Sequence, residues 1–173
     1  MSRLIATFFG TGLLRPASGT WASAVAVALG LIILRYSGFP ALVAATLAVT
    51  ALGFWACQAE LADRPGEDPS EIVIDEVAGQ WLTLLFPAAG FHYSPAGQSF
   101  LLASGGWLPW PAFVLPFVLF RLFDIWKPWL VGRADRRSDA AGVMLDDLWA
   151  GLFAGVLTIV LAIAYHIPLI LLK

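Results

Sequence analysis

The chain has 173 residues; 60% of them are hydrophobic, only 13% are charged, and the mean hydropathy is +0.81. These values are typical of an integral membrane protein and exclude an ordinary soluble domain. The net charge of -2 gives no reason to expect a nucleic-acid partner, and the single cysteine excludes an internal disulfide. We therefore expect one domain over residues 1–173, built from membrane helices.

The N-terminal part predicts a glycine-rich loop and two membrane helices. Residues 10–19 carry three glycines and a proline, which favours a loop, with a short helix before it. Residues 21–34 are uncharged but short for a span, and they become long enough if the helix continues through Arg35 with its guanidinium at the interface. After a turn at 37–40, residues 41–59 predict a second helix of full length.

Three more apolar segments follow a polar stretch at 60–76, where Arg64-Pro65-Gly66 and Asp68-Pro69 indicate turns. Residues 77–91 are apolar and short, and residues 148–172 are long enough to span. Residues 100–120 contain several glycines and prolines, which predicts a broken helix that restarts near Pro111. The pattern predicts an all-α, polytopic membrane helical bundle of about five spans, some short or broken.

The basic residues predict the orientation of this bundle. With the N-terminus in the cytoplasm, eight of the ten lysines and arginines fall on the cytoplasmic side and only Arg35 and Lys173 on the other. We therefore expect an N-in, C-out topology. The same arrangement puts all twelve acidic residues on the cytoplasmic face and both histidines on the opposite face.

Two pairs of adjacent carboxylates, Asp75-Glu76 and Asp146-Asp147, each precede an apolar segment, and Asp124 is a fifth candidate on the same face. Helix capping would explain one such pair. Several carboxylates together repel one another, and a hard divalent cation relieves that repulsion. Because Mg²⁺ is the usual ion beside a phosphate substrate, we predict a magnesium site with these candidate ligands: Asp75, Glu76, Asp124, Asp146 and Asp147.

Cationic and small polar residues predict a phosphate-binding region beside these acids. Arg121 and Lys127 each lie one turn from Asp124 if this stretch is helical, so they are candidate phosphate ligands. Backbone N–H groups of the glycine-rich loop are a weaker signal, together with Gly19, Thr20 and Ser23. The basic residues of the following loop are assigned instead to anchoring at anionic headgroups: Arg133, Arg136 and Arg137.

Several phosphatase chemistries are excluded by the residues. Cys57 lies within a span and lacks the arginine spacing of a cysteine phosphatase loop, and both histidines face the wrong side. The chain has no Asp-x-Asp-x-Thr run of an aspartyl-phosphate enzyme. It also lacks the Asp-x-x-Asp-Gly-x-x-Ala-Arg run of the CDP-alcohol phosphotransferases.

The sequence resembles the phosphatidylglycerophosphatase A family over nearly its whole length. Three blocks carry the resemblance: Gly10-x-Gly12 with Gly19-Thr20 and Ser23; Asp68-Pro69 with Ile74-Asp75-Glu76-Val77-x-Gly79; and Phe120-Arg121-x-x-Asp124-x-x-Lys127-Pro128 with Gly142-Val143-Met144-x-Asp146-Asp147-x-x-Ala150-Gly151. Ser18 stands where the family has a proline, and we expect this change to affect only the stiffness of the loop.

The resemblance implies a Mg²⁺-dependent phosphatase of the bacterial cytoplasmic membrane that converts phosphatidylglycerophosphate to phosphatidylglycerol at the cytoplasmic leaflet. No obligate protein partner is implied. Our mechanistic hypothesis is direct hydrolysis by water, with Lys127 and Arg121 balancing charge on the phosphoryl group and one carboxylate, Asp146, as base. A covalent aspartyl intermediate stays open.

Two other functions remain possible at this point. The first is a phosphatase or phosphotransferase for another lipid phosphate. The second is a small cation- or proton-coupled transporter, whose acids would lie at mid-depth within the spans. The predicted spans contain no acidic residue, which makes the transporter the weaker alternative.

Overall fold

The computed structural model describes residues 1–62, 69–137 and 139–171, and within these ranges the chain forms helices and no strand. Asp68, the Arg64-Pro65-Gly66 turn and Lys173 lie outside the described residues. In chain order the helices are α1 (Ser2–Ala6), a 3₁₀ turn (Thr11–Leu13), α2 (Ser18–Ser37), α3 (Phe39–Leu61), α4 (Ile74–Tyr93), α5 (Pro95–Ala103), α6 (Pro111–Trp126), α7 (Leu130–Asp135) and α8 (Ala140–Leu171).

Three of the described helices are long and apolar enough to cross a membrane: α2, α3 and the part of α8 that ends at His166. The predicted break in residues 100–120 is confirmed, since α5 ends at Ala103 and α6 begins at Pro111. Gly105 and Gly106 in this break have φ values of 67° and 88°, which favour glycine. The count of about five spans and the N-in orientation stay predictions.

Helix α4 is the centre of the bundle and packs against α2, α3, α5, α6 and α8. Apolar side chains cover it on several sides, as expected of a helix surrounded by others; the fully buried ones include Val77, Ala78 and Leu84. The indole Nε1 of Trp81 donates a hydrogen bond to the backbone oxygen of Ala26 in α2, at 2.7 Å. This hydrogen bond fixes the position of α4 along the axis of α2.

Small residues let α4 and α8 approach closely. A Cβ atom on Gly151 would lie 2.5 Å from the backbone oxygen of Gly79, and one on Gly79 would lie 2.5 Å from the backbone oxygen of Asp147. The Thr83 hydroxyl lies at 2.8 Å from the Gly79 oxygen and at 3.1 Å from the Gly151 oxygen. Small residues and hydroxyls of this kind are a common way to pack membrane helices. As a result, the start of α4 lies against the second turn of α8.

A tight turn joins α6 to α7. Pro128 disfavours the right-handed helical conformation at Lys127, which instead adopts φ 50° and ψ 53° and ends α6. A Cβ atom on Gly132 would lie 2.5 Å from the backbone oxygen of Lys127, so α7 packs directly on the turn. The turn therefore holds Lys127 beside α8 rather than along α6.

Candidate active site

Three carboxylates from two helices meet at the α4–α8 contact. Asp75 and Glu76 lie in the first turn of α4 and Asp147 in the second turn of α8. One oxygen of each side chain lies within 4.8 Å of an oxygen of the other two. Asp75 and Asp147 are only 8% and 3% exposed, and Glu76 is partly exposed. This group, called the carboxylate cluster below, has the spacing of ligands around one cation.

The electrostatics of the carboxylate cluster favour a bound cation. Burial, together with the charges of Glu76 and Asp147, raises the pKa of Asp75 well above its usual value. Burial also raises the pKa of Glu76, and the charge of Asp124 adds to the effect. The Oε2 atom of Glu76 is buried without a hydrogen-bond partner among the described residues. A cation would compensate these charges and give that oxygen a partner, so the residues fit a divalent metal ion.

Lys127 lies beside the carboxylate cluster and contacts two further acids. Its Nζ donates to Oδ2 of Asp146 at 2.9 Å and to Oδ1 of Asp135 in α7. Burial lowers the pKa of Lys127, but the hydrogen bonds to Asp135 and Asp146 outweigh burial and raise it above its ordinary value. Lys127 is therefore a fixed cation at neutral pH. The other oxygen of Asp146 accepts a hydrogen bond from the backbone N–H of Asp147 at 3.0 Å.

Arg121 connects the start of α2 to the site. It pairs with Asp124 one turn later in α6 at 2.6 Å, and its Nη1 also lies 3.4 Å from the Ser23 hydroxyl. A Cβ atom on Gly19 would overlap Oε1 of Glu76 and would lie 3.2 Å from Nη1 of Arg121. A larger residue at position 19 would therefore displace the Glu76 carboxylate from this position.

These groups surround an open cavity of about 310 Å³. Among the described residues, six carboxylates line it and three cationic side chains: Asp75, Glu76, Asp124, Asp135, Asp146 and Asp147, with Lys127, Arg136 and Arg137. With every acid ionised, the carboxylates of the lining would outnumber its cations by three. An anionic substrate would be repelled by this wall unless cations entered with it.

The structure divides the five predicted metal ligands into two kinds. Asp75, Glu76 and Asp147 form the carboxylate cluster. Asp124 and Asp146 line the same cavity, but each is held by a cation, Arg121 and Lys127 respectively.

The predicted phosphate ligands are also divided. Lys127 lines the cavity, whereas Arg121, Gly19 and Ser23 lie together at its edge and Thr20 is absent from the described lining. Of the glycine-rich stretch 10–19, the lining includes Ser18 alone among the described residues.

Two local expectations were wrong. Helix α8 begins at Ala140, so Asp146 and Asp147 lie within it and do not precede it. The residue at its start is Asp139, whose Oδ1 accepts a hydrogen bond from the Gly142 N–H at 2.9 Å. In addition, α6 ends before Lys127, so Lys127 does not share a helical face with Asp124.

Sequence reasoning missed three charged residues of the cavity wall and the hydrogen bond of Ser18. Asp135 was not considered, and Arg136 and Arg137 were treated as surface anchors, although all three line the cavity. Ser18 was expected to change only loop stiffness, but its hydroxyl donates a hydrogen bond to the backbone oxygen of Ser70 at 2.6 Å. The run of four charged residues at 133–137 could have indicated that this segment belongs to the site. The turn at Lys127-Pro128, which brings the segment to the cavity, could not be foreseen from the sequence.

Comparison with known proteins identifies the family of the chain. The family model for phosphatidylglycerophosphatase A matches residues 4–162. A phosphatidylglycerophosphatase A of Haemophilus influenzae is 33% identical over 163 residues, which cover 94% of this chain and 88% of the relative. The Escherichia coli protein of the same name is 29% identical over 169 residues, 96% of this chain and 85% of the relative.

A third relative carries a different name. A Bacteroides thetaiotaomicron protein, named as a proposed phosphatidylinositol-3-phosphatase, is 33% identical over 158 residues, 89% of each chain. No solved structure matches. With a family model that covers most of the chain and relatives matched along nearly their whole length, the chain belongs to the phosphatidylglycerophosphatase A family.

Proposed function

We propose that this protein, a lipid phosphatase by family, removes the terminal phosphate of phosphatidylglycerophosphate and releases phosphatidylglycerol. The observation that carries the proposal is the carboxylate cluster, which shares one cavity with the fixed cation Lys127. A phosphate monoester needs both parts, because a metal ion held by the carboxylates and the Lys127 cation would together offset the charge of the phosphoryl group.

The cofactor in this proposal is Mg²⁺, held by Asp75, Glu76 and Asp147. Carboxylate oxygens are the ligands that this hard cation prefers. When bound, it would supply charge compensation and Lewis-acid activation at the phosphate. Whether one or two ions bind is left to metal titration.

The side chains of the protein position the reacting groups. Lys127, held from behind by Asp135 and Asp146, donates to the non-bridging oxygens of the terminal phosphate. Arg121 keeps Asp124 in place at the cavity wall. Water attacks phosphorus, and either Asp146 or Asp124 accepts a proton of that water. The bond to the glycerol oxygen breaks, and a proton from that acid or from solvent completes the alcohol.

The membrane position follows from the helices and the substrate. With α2, α3 and α8 in the bilayer, the cavity lies at the ends of helices, at the depth of lipid headgroups. We place it at the cytoplasmic leaflet of the bacterial inner membrane, with the N-terminus inside.

Labelling of an Arg133→Cys variant tests this orientation. The new thiol should react with an impermeant reagent in inside-out vesicles and not in intact spheroplasts; the reverse pattern would contradict this orientation.

The decisive experiment measures phosphate release from phosphatidylglycerophosphate by the purified protein. We expect release that requires Mg²⁺, stops with EDTA and falls at least a hundredfold in Asp147→Asn, the size of effect seen when one charge-stabilising group is lost. Activity that survives both EDTA and Asp147→Asn would refute the assigned site.

A second candidate is a phosphatase for another lipid phosphate, favoured by the name of the Bacteroides relative. The same assay with phosphatidylinositol 3-phosphate and phosphatidate separates the two candidates. A higher kcat/KM for either of these lipids than for phosphatidylglycerophosphate would replace the proposed substrate.

A further inference from the structure

Of the three arginines in and after α7, only the last two line the cavity. Arg136 and Arg137 line the cavity, whereas Arg133, one turn earlier and also exposed, does not belong to its described lining. The three residues therefore differ in their surroundings, and two of them can reach a ligand in the cavity.

Arg137 has a structural partner. Its Nε and Nη2 atoms donate to the two carboxylate oxygens of Asp139 at 3.0 and 2.7 Å. These bonds, with a further hydrogen bond from the Gly142 N–H, lower the pKa of Asp139 to about 2. Because the same carboxylate caps the start of α8, Arg137 holds that cap in place.

Arg136 is the remaining cation at the mouth. Its Nη1 atom lies 3.8 Å from the position of a Cβ on Gly132, so its side chain folds back over α7 beside the Lys127 turn. No ion pair involving Arg136 is recorded within the part of the chain that the structure describes. Its guanidinium, which can make two parallel hydrogen bonds to a phosphate, is therefore available to a ligand in the cavity.

The proposed substrate has a group that matches this position. Phosphatidylglycerophosphate carries a terminal monoester phosphate and, one glycerol unit away, a diester phosphate that leads to the acyl chains. When the monoester lies at the carboxylate cluster, the diester lies one glycerol unit further out in the same cavity, whose lining includes Arg136. We propose that Arg136 binds the diester phosphate and so makes the site prefer lipids that carry two phosphates. This inference rests on the proposed function.

The test compares Arg136→Gln with wild type, with turnover of phosphatidylglycerophosphate in neutral detergent micelles as the assay. Two competitive inhibitors report on the two positions separately: glycerophosphoglycerol carries only the diester, and orthophosphate resembles only the monoester. We expect Arg136→Gln to raise both the KM for the lipid and the Ki of glycerophosphoglycerol about tenfold, the usual size for a charge-assisted pair. The Ki of orthophosphate should change less than twofold.

Arg133→Gln is the matched control, since it removes an equal charge one turn earlier in the chain and outside the described lining of the cavity, and it should leave all three constants unchanged. Arg136→Lys should fall between Gln and wild type. Equal shifts for both inhibitors, the same shifts in Arg133→Gln, or no shift at all would overturn the role of Arg136. Absence of turnover by the wild-type protein would instead overturn the proposed function itself.

Discussion

At the scale of single residues, the site separates acids that can hold a cation from acids that are already paired. The free oxygen of Glu76 and the burial of Asp75 and Asp147 point to metal binding. Asp146, in contrast, uses both oxygens for hydrogen bonds within the protein. The paired acids also fix the position of Lys127, because Asp146 and Asp135 hold its amine from two sides.

Lys127→Met should lower kcat by about 10²–10³, because a preorganised cation at the phosphoryl group is worth roughly 3–4 kcal/mol in the transition state. The measurement is steady-state turnover at saturating Mg²⁺. Arg133→Met, an exposed cation outside the cavity, is the control and should keep wild-type kcat. A Lys127→Met protein that retains kcat would exclude Lys127 from charge stabilisation.

At the scale of elements, the α4–α8 contact determines whether the carboxylate cluster forms. Gly79, Gly151 and Thr83 bring the two backbones together one to two turns from Asp75 and Asp147. A side chain between the helices would separate the ligands even though none of them had changed.

Gly151→Ala should therefore lower both thermal stability and Mg²⁺-dependent activity. The added methyl would lie 2.5 Å from the Gly79 oxygen, and such overpacking costs about 1–3 kcal/mol. Gly90→Ala is a matched control in α4, since a Cβ there meets no atom within 4 Å and alanine favours a helix. Thermal unfolding in detergent, followed by circular dichroism, is the measurement; equal melting temperatures for the two variants would contradict the close contact.

The elements also show what the sequence could predict. The break before Pro111 was found because glycine and proline act locally. The start of α8 was predicted too late in the chain, because we expected the helix to begin after the last acidic residue. In the structure Asp139 caps the start of the helix, and the acids inside it are buried where another helix covers them. The partners of Lys127 could not be predicted, since they depend on how α7 folds back.

At the scale of the whole molecule, the five predicted metal ligands and Lys127 line one cavity although they come from α4, α6, the turn after α6 and α8; the predicted phosphate ligands of α2 and Arg121 do not belong to its described lining. Convergence could be expected because the blocks lie at helix ends on one predicted face. The close contact between α4 and α8 that produces the carboxylate cluster could not be predicted, because the apolar pattern of each helix is compatible with several neighbours.

Metal binding should stabilise the whole bundle. The proposed Mg²⁺ would bind only the native protein, because an unfolded chain has no formed site. Mg²⁺ should therefore raise the free energy of unfolding by about 2.7 kcal/mol at a hundredfold excess over Kd, and the melting temperature should rise with it. Asp75→Asn should abolish this rise, while Asp139→Asn, outside the cluster, should keep it. A wild-type melting temperature that is independent of Mg²⁺ and Mn²⁺ would contradict a metal site here.

The carboxylate cluster lies at the seam between the two helices that hold the bundle together. Without a bound cation, repulsion among the acids of the cluster opposes the close packing of α4 against α8. With Mg²⁺ bound as proposed, a newly inserted chain would complete its packing and become active in one step, so that scarcity of the ion during biogenesis would reduce the amount of assembled enzyme as well as its turnover.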